Sequence, residues 1–153
     1  MSAALSGLEA FHAEWRASVE DRARLVFEAK PRDGSPELHT AIADRFVSSL
    51  GYQPIGPHWE MLDDGADASA PRSAIAAFTD ALGGSMTNSK DIWLGDARAA
   101  HCGRAFVECF APGWRTILTN RIDLGWHPIS PAEIEWAFVG FDNQKIALFM
   151  VTD

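Results

Sequence analysis

Four carboxylates, Glu60, Asp63, Asp64 and Asp67, stand among Trp59, Met61 and Leu62 in a stretch where no Lys or Arg occurs from Gly51 through Pro71. That combination suits protein recognition, because exposed acids steer a cationic partner into encounter and an embedded aromatic ring supplies the desolvated anchor that holds it. The stretch reads as a partner-binding loop, with Trp59 as anchor and Glu60, Asp63, Asp64 and Asp67 as steering charges. Calcium fits it poorly. Gly65 placed at the sixth position of an EF-hand loop brings Leu62 to the third and Pro71 to the twelfth, where carboxylates are required.

Other chemistries lack their spacing. His12, His39, His58, His101, Cys102, Cys109 and His127 could ligate a metal, but none recurs at a zinc-ligand interval. His101 adjoins Cys102, and neighbouring side chains leave a helix or strand in different directions, so the two do not form a nucleophile–base pair. Thr87-Asn88-Ser89-Lys90 has Thr where an S-x-x-K enzyme needs Ser, and Gly83-Gly84-Ser85 lacks the lysine of a phosphate loop. The neighbouring acids Asp63 with Asp64 and Glu133 with Glu135 read as solvated loop charges. No catalytic residue, metal or cofactor is assigned, and a binding module is expected ahead of an enzyme. The alternative is a small-ligand or enzymatic domain, in which helices cover a curved sheet and His101, His127 or Asp123 points into an aromatic-lined pocket.

Charge supports the first reading. Thirteen Lys and Arg against 21 Asp and Glu leave −8, which repels phosphate backbones and argues against direct nucleic-acid binding. A basic protein partner, of the kind an inhibitor or immunity-type protein engages, is the expected counterpart. No run approaches the roughly 20 apolar residues of a membrane-crossing helix. The first basic residue is Arg16, after Glu9 and Glu14, the reverse of a secretory signal, so a cytoplasmic location is expected. Cys102 and Cys109 are then free thiols, used as small buried hydrophobes.

The elements that must position these residues follow from periodicity. Chain length suits one domain spanning 1–153. Ser6 with Glu9 forms a capping box, and Leu8, Phe11, Trp15, Val19 and Val26 form a helical stripe, so a first helix is expected to run toward Lys30 and stop before Pro31. Ser35 as cap and Pro36 at the first position open a second helix through Ile42, Phe46 and Leu50, closed by Gly51. Gln53 to Arg72 is irregular, with His58 to Leu62 the candidate for a short strand. Pro71 opens a third helix carrying Ile75, Phe78 and Leu82, ended by Gly83-Gly84. The segment from Asp96 admits one helix to Phe110, but Gly103 favours a short helix through His101 followed by a strand from Arg104 to Ala111. Arg115 to Ile122 is rich in β-branched residues and reads as a strand. Ser130-Pro131-Ala132-Glu133 suggests one more helical turn.

Last comes IEWAFVGFDNQKIALFMVTD. Both faces of both arms are apolar about a polar turn at Asp142-Asn143-Gln144, which describes a β-hairpin covered on both sides. The expected class is α+β: N-terminal amphipathic helices packed on a C-terminal, mostly antiparallel sheet that ends in a buried hairpin, with the helices on one face.

Overall fold

The terminal hairpin lies at the middle of the protein. In a computed structural model, which describes residues 5–84, 91–122 and 125–152, β6 (Glu135–Phe141) and β7 (Lys145–Thr152) pair antiparallel with Phe138 opposite Phe149, and every residue of both strands is buried. Alternation sends Phe138, Ala147, Phe149 and Val151 into one core and Val139, Phe141, Leu148 and Met150 into another. A strand apolar on both faces needs cover on both. The first core is covered by α1 (Ser6–Glu20), α3 (Ala74–Leu82) and α4 (Asp96–Glu108), the second by α2 (His39–Ser49) with Ile55, Trp59 and Ile129.

Flanking strands extend the hairpin. β1 (Arg24–Pro31) pairs with β7, β3 (Thr116–Thr119) with β6, and β2 (Glu60–Leu62) with β3, so the order is β1-β7-β6-β3-β2 and every pairing is antiparallel. A separate ribbon joins β4 (Arg121–Ile122) to β5 (Gly125–Trp126). The class is α+β as read, with one difference: α2 occupies the face opposite the other three helices.

Local differences have local causes. The first helix stops at Glu20 and Arg24–Pro31 is a strand, because Leu25, Phe27 and Ala29 pack on the first core while Val26 packs on the second. That period of two was hidden behind the helical interval from Val19 to Val26. The ladder from Arg24 opposite Thr152 to Pro31 opposite Lys145 then outweighs the segment's helix-compatible composition. Leu5, not Ser6, occupies the cap position of α1.

The second helix starts at His39 instead of Pro36. Asp33 Oδ1 accepts the Ser35 N–H at 3.0 Å and the Ser35 carbonyl accepts from Arg32 at 2.7 Å, so Ser35 is committed to a turn and does not cap. Gly34 has φ +75°, and a Cβ there would stand 2.9 Å from the Asn143 carbonyl, so only glycine passes the hairpin turn at this point. Gly51, at φ +91°, follows α2 as expected. Ser73 caps α3 by accepting the Ala76 N–H at 3.1 Å.

Of the expected strand from Arg104 to Ala111, Arg104 to Glu108 is instead the second half of α4, and the last three residues turn out of the helix. Gly103 marks the closest approach of two helices: a Cβ there would lie 2.6 Å from Phe78 Cβ on α3. The turn expected at Ser130 does not form a helix either, since Ser130 is committed to Glu135. Glu135 is no solvated acid. It is fully buried and accepts from Asn120 Nδ2 and the Ile129 N–H, both at 2.8 Å, and from the Ser130 N–H and hydroxyl.

Candidate functional site

Trp59 is only 3% exposed, so it cannot be the presented ring expected from the sequence. Its indole N–H donates to Asp44 Oδ1 at 2.8 Å, and the same carboxylate accepts the N–H groups of Ile55 and Gly56, each at 2.9 Å. A carboxylate on α2 thus satisfies the one polar atom that would otherwise keep the ring at the surface. Trp59 seals the second core.

The acids of the loop do not converge. Glu60 pairs with Arg72, and Asp64 pairs with Arg115 at 2.7 Å. Asp63 Oδ1 accepts the Gly65 N–H at 2.8 Å, and Asp67 accepts both the N–H and the hydroxyl of Ser69. Those Ser69 bonds hold the Asp67 carboxyl below its ordinary range. Most of the loop's charge therefore shapes its own backbone or meets an arginine.

The far end of the loop forms the wall of a pocket. The Asp63 N–H donates to the Arg72 carbonyl at 2.7 Å and the Ala74 N–H donates to the Asp63 carbonyl at 2.8 Å. This clamp holds Arg72 at φ +58°, where no other described non-glycine residue sits. Such backbone costs on the order of 1 kcal/mol and persists where its surroundings over-determine it, often at ligand sites. A hollow of about 270 Å³ opens beside it, between α3 and the sheet. Leu62, Ile122 and Trp136 form its apolar wall, Ser73 lines it from the cap of α3 and Ala76, Ala77 and the carboxylate-bearing Asp80 from the helix, and its two cations are Arg121 and Arg72, the latter paired with Glu60.

Arg121 is the feature of this pocket that stands out. Its guanidinium lies 4.6 Å from the Trp136 ring and 5.8 Å from the Trp126 ring. Trp136 is itself fixed, donating its indole N–H to Thr119 Oγ1 at 3.1 Å. Among the described residues the guanidinium of Arg121 has no hydrogen-bond or ion-pair partner, so its planar fork of donors is held in place and unspent. A wider cleft of about 410 Å³ between α2 and the end of β1 contrasts with it. There Lys30 donates to Ser49, Arg32 to the carbonyls of Asp142 and Ser35, and Arg45 pairs with Glu37. Those cations already have partners inside the chain.

The remaining sequence candidates stand elsewhere. His101 packs edge-on against Trp15 at 5.3 Å, and His127 stacks on His58 at 3.8 Å, neither at this pocket. Asp123 lies outside the described residues. Burial pushes the Cys102 thiol well up and the Cys109 thiol to about 11, so both are held as protonated thiols and not as nucleophiles. Among the described residues no group of three or more His, Cys, Asp or Glu is placed to hold a metal, and no helix is long and apolar enough to cross a membrane. Arg72, Arg121 and Trp136 carried no signal in the sequence, because they come from a loop, β4 and β6 and meet only in three dimensions. The chain matches no family model, no curated protein and no solved structure, so geometry alone carries the functional argument.

Proposed function

We propose that the protein binds a small oxyanion-bearing molecule, a carboxylate or phosphate with a compact apolar body, in the pocket between α3 and the sheet. The observation that carries this reading is the Arg121 guanidinium, braced by Trp136 and Trp126 and without a hydrogen-bond or ion-pair partner among the described residues. Bidentate, charge-assisted hydrogen bonds from such a fork suit a planar carboxylate or a phosphate. At about 270 Å³ the pocket falls just below the usual range of ligand-site sizes, which keeps the apolar body small. Inorganic phosphate and benzoate serve as probes, read by tryptophan fluorescence, since two of the rings touch the anion-binding residue. A saturable change is expected, and Arg121→Leu weakens it about 10-fold or more, the equivalent of roughly 1.5 kcal/mol or more for charged hydrogen bonds. Lys30→Leu, in the wider cleft, leaves it unchanged. Absence of saturation with both probes, or equal binding by Arg121→Leu, overturns the reading.

One observation favours a second reading, an acidic interaction module for a basic protein. Met61 is 44% exposed on the short edge strand β2, and beside it Asp63 and Asp67 have no cation partner among the described residues. Met61 then supplies the apolar contact that Trp59 cannot. With a cationic protein as probe, the double variant Asp63→Asn, Asp67→Asn associates several-fold more slowly, and its rate depends less on salt. Unchanged kinetics removes this reading and leaves the pocket.

A further inference from the structure

The sheet has one long open edge, and its hydrogen-bonding pattern can be worked out. The Arg32 N–H donates to the carbonyl of Gln144, its direct partner in the β1–β7 register, and the Asp142 N–H donates to that of Lys145 in the β6–β7 register. Directly opposed antiparallel residues alternate between bonded and non-bonded pairs. Arg24, Val26, Glu28 and Lys30 therefore turn their backbone groups toward β7. The backbone groups of Leu25, Phe27 and Ala29 point away from the sheet, and among the described residues nothing pairs with them. The three side chains are only partly buried. Pro31, which has no N–H, ends the row.

We propose that this edge is the interface for a second copy of the chain, with β1 pairing antiparallel with its two-fold mate to make one continuous sheet. Backbone and charge together select the register. Outward-facing groups must meet outward-facing groups, so odd-numbered residues of one strand oppose odd-numbered residues of the other. Phe27 opposite its own mate would set Arg24 against Lys30 twice, Glu28 opposite its mate would juxtapose two carboxylates, and Ala29 opposite its mate would pair Glu28 with Lys30 but put Pro31, which has no N–H, opposite Phe27 where the ladder needs a donor. Val26 opposite its mate instead places Leu25 against Phe27 on the α1 face and Arg24 against Glu28 on the α2 face, each pair occurring twice. Directly opposed side chains of opposite charge attract at this range, and like charges repel. Arg24 and Glu28 are exposed, and neither is in an ion pair with another described residue. Lys30 falls opposite Arg22 in that register, beyond the strand's end, where Asp21 lies 4.0 Å from Arg22. An edge of eight residues with apolar flanks is an open template, and here the register centred on Val26 pairs opposite charges while keeping proline out of the ladder.

Sedimentation over a concentration series, combined with amide hydrogen exchange, tests this on the intact chain. A monomer–dimer equilibrium is expected, with the amides of Leu25, Phe27 and Ala29 becoming protected as the dimer fills. Glu28→Arg sets arginine against arginine and weakens the dimer at least 10-fold. The double variant Arg24→Glu, Glu28→Arg restores it, which a merely damaged fold would not do, and circular dichroism confirms that each variant is folded. A chain that stays monomeric near millimolar concentration overturns the proposal. So does a dimer that is indifferent to Glu28→Arg while those three amides exchange freely. Pocket binding is read by a different probe, so the two proposals fail independently.

Discussion

Replacing Phe149 by alanine lowers the unfolding free energy by about 4 kcal/mol, a large part of what a domain of this size has. Phe149 is fully buried on β7, and its ring centroid lies 5.2 Å from that of Phe78 on α3, 5.9 Å from those of Phe11 on α1 and Phe106 on α4, and 6.4 Å from that of Phe138 on β6. Removing it opens a cavity bordered by three helices and the sheet. Those walls cannot all close inward, because α3 and α4 already touch at Gly103. Leu38, which is 74% exposed, provides the comparison: its replacement by alanine changes stability by less than about 0.5 kcal/mol. Urea unfolding of both variants decides the matter. A loss below about 1 kcal/mol for Phe149→Ala would mean that the hairpin is not the centre of the core.

The second large effect belongs to Asp142, which closes the hairpin turn. Its side chain is 1% exposed, and it accepts from Lys145 Nζ at 2.9 Å and from the N–H groups of Ala111, Gln144 and Lys145. One carboxylate thereby ties the end of α4 to the turn between β6 and β7. Asp142→Ala leaves Lys145, whose side chain is 11% exposed, without its counter-charge. Breaking such a pair costs about 3 kcal/mol.

The effect of pH carries a definite sign. Burial pushes the Asp142 carboxyl upward, but the Lys145 ammonium and the three N–H donors outweigh it and hold the carboxyl below the ordinary 3.8. A group depressed in the folded state contributes stability that is complete above its unfolded value and is lost as pH falls through its folded value. The stability gap between the native protein and Asp142→Asn is therefore constant near neutrality and narrows below pH 3.8. Urea titrations between pH 7 and pH 2 measure it. A gap that holds constant to pH 2 would show that Lys145 and the turn amides do not favour the charged form.

Some of this was open to inspection in the residue order. The hairpin is encoded locally: two runs without a polar side chain, Trp136 to Phe141 and Ile146 to Val151, flank a polar turn, and burying both faces demands layers above and below. The helical stripes Leu8, Phe11, Trp15, Val19 and Ile75, Phe78, Leu82 are equally local, and all seven residues are buried. Those patterns suffice for the α+β class, because each repeats within one or two turns of chain.

What only the tertiary structure decided depends on partners far away in sequence. Arg24–Pro31 is a strand because β7, more than a hundred residues later, offers its ladder. Gly103 lies within a helix because Phe78 leaves no room there for a side chain. Trp59 turns inward because Asp44 on another element takes its N–H, while Glu60 and Asp64 are spent on Arg72 and Arg115. Composition shows that a segment is acidic and aromatic, but whether its ring faces water depends on which atom satisfies the indole nitrogen. The grouping of Arg72, Arg121 and Trp136 is of the same kind: no spacing announces it, since a pocket walled by three elements exists only once the sheet has set them side by side.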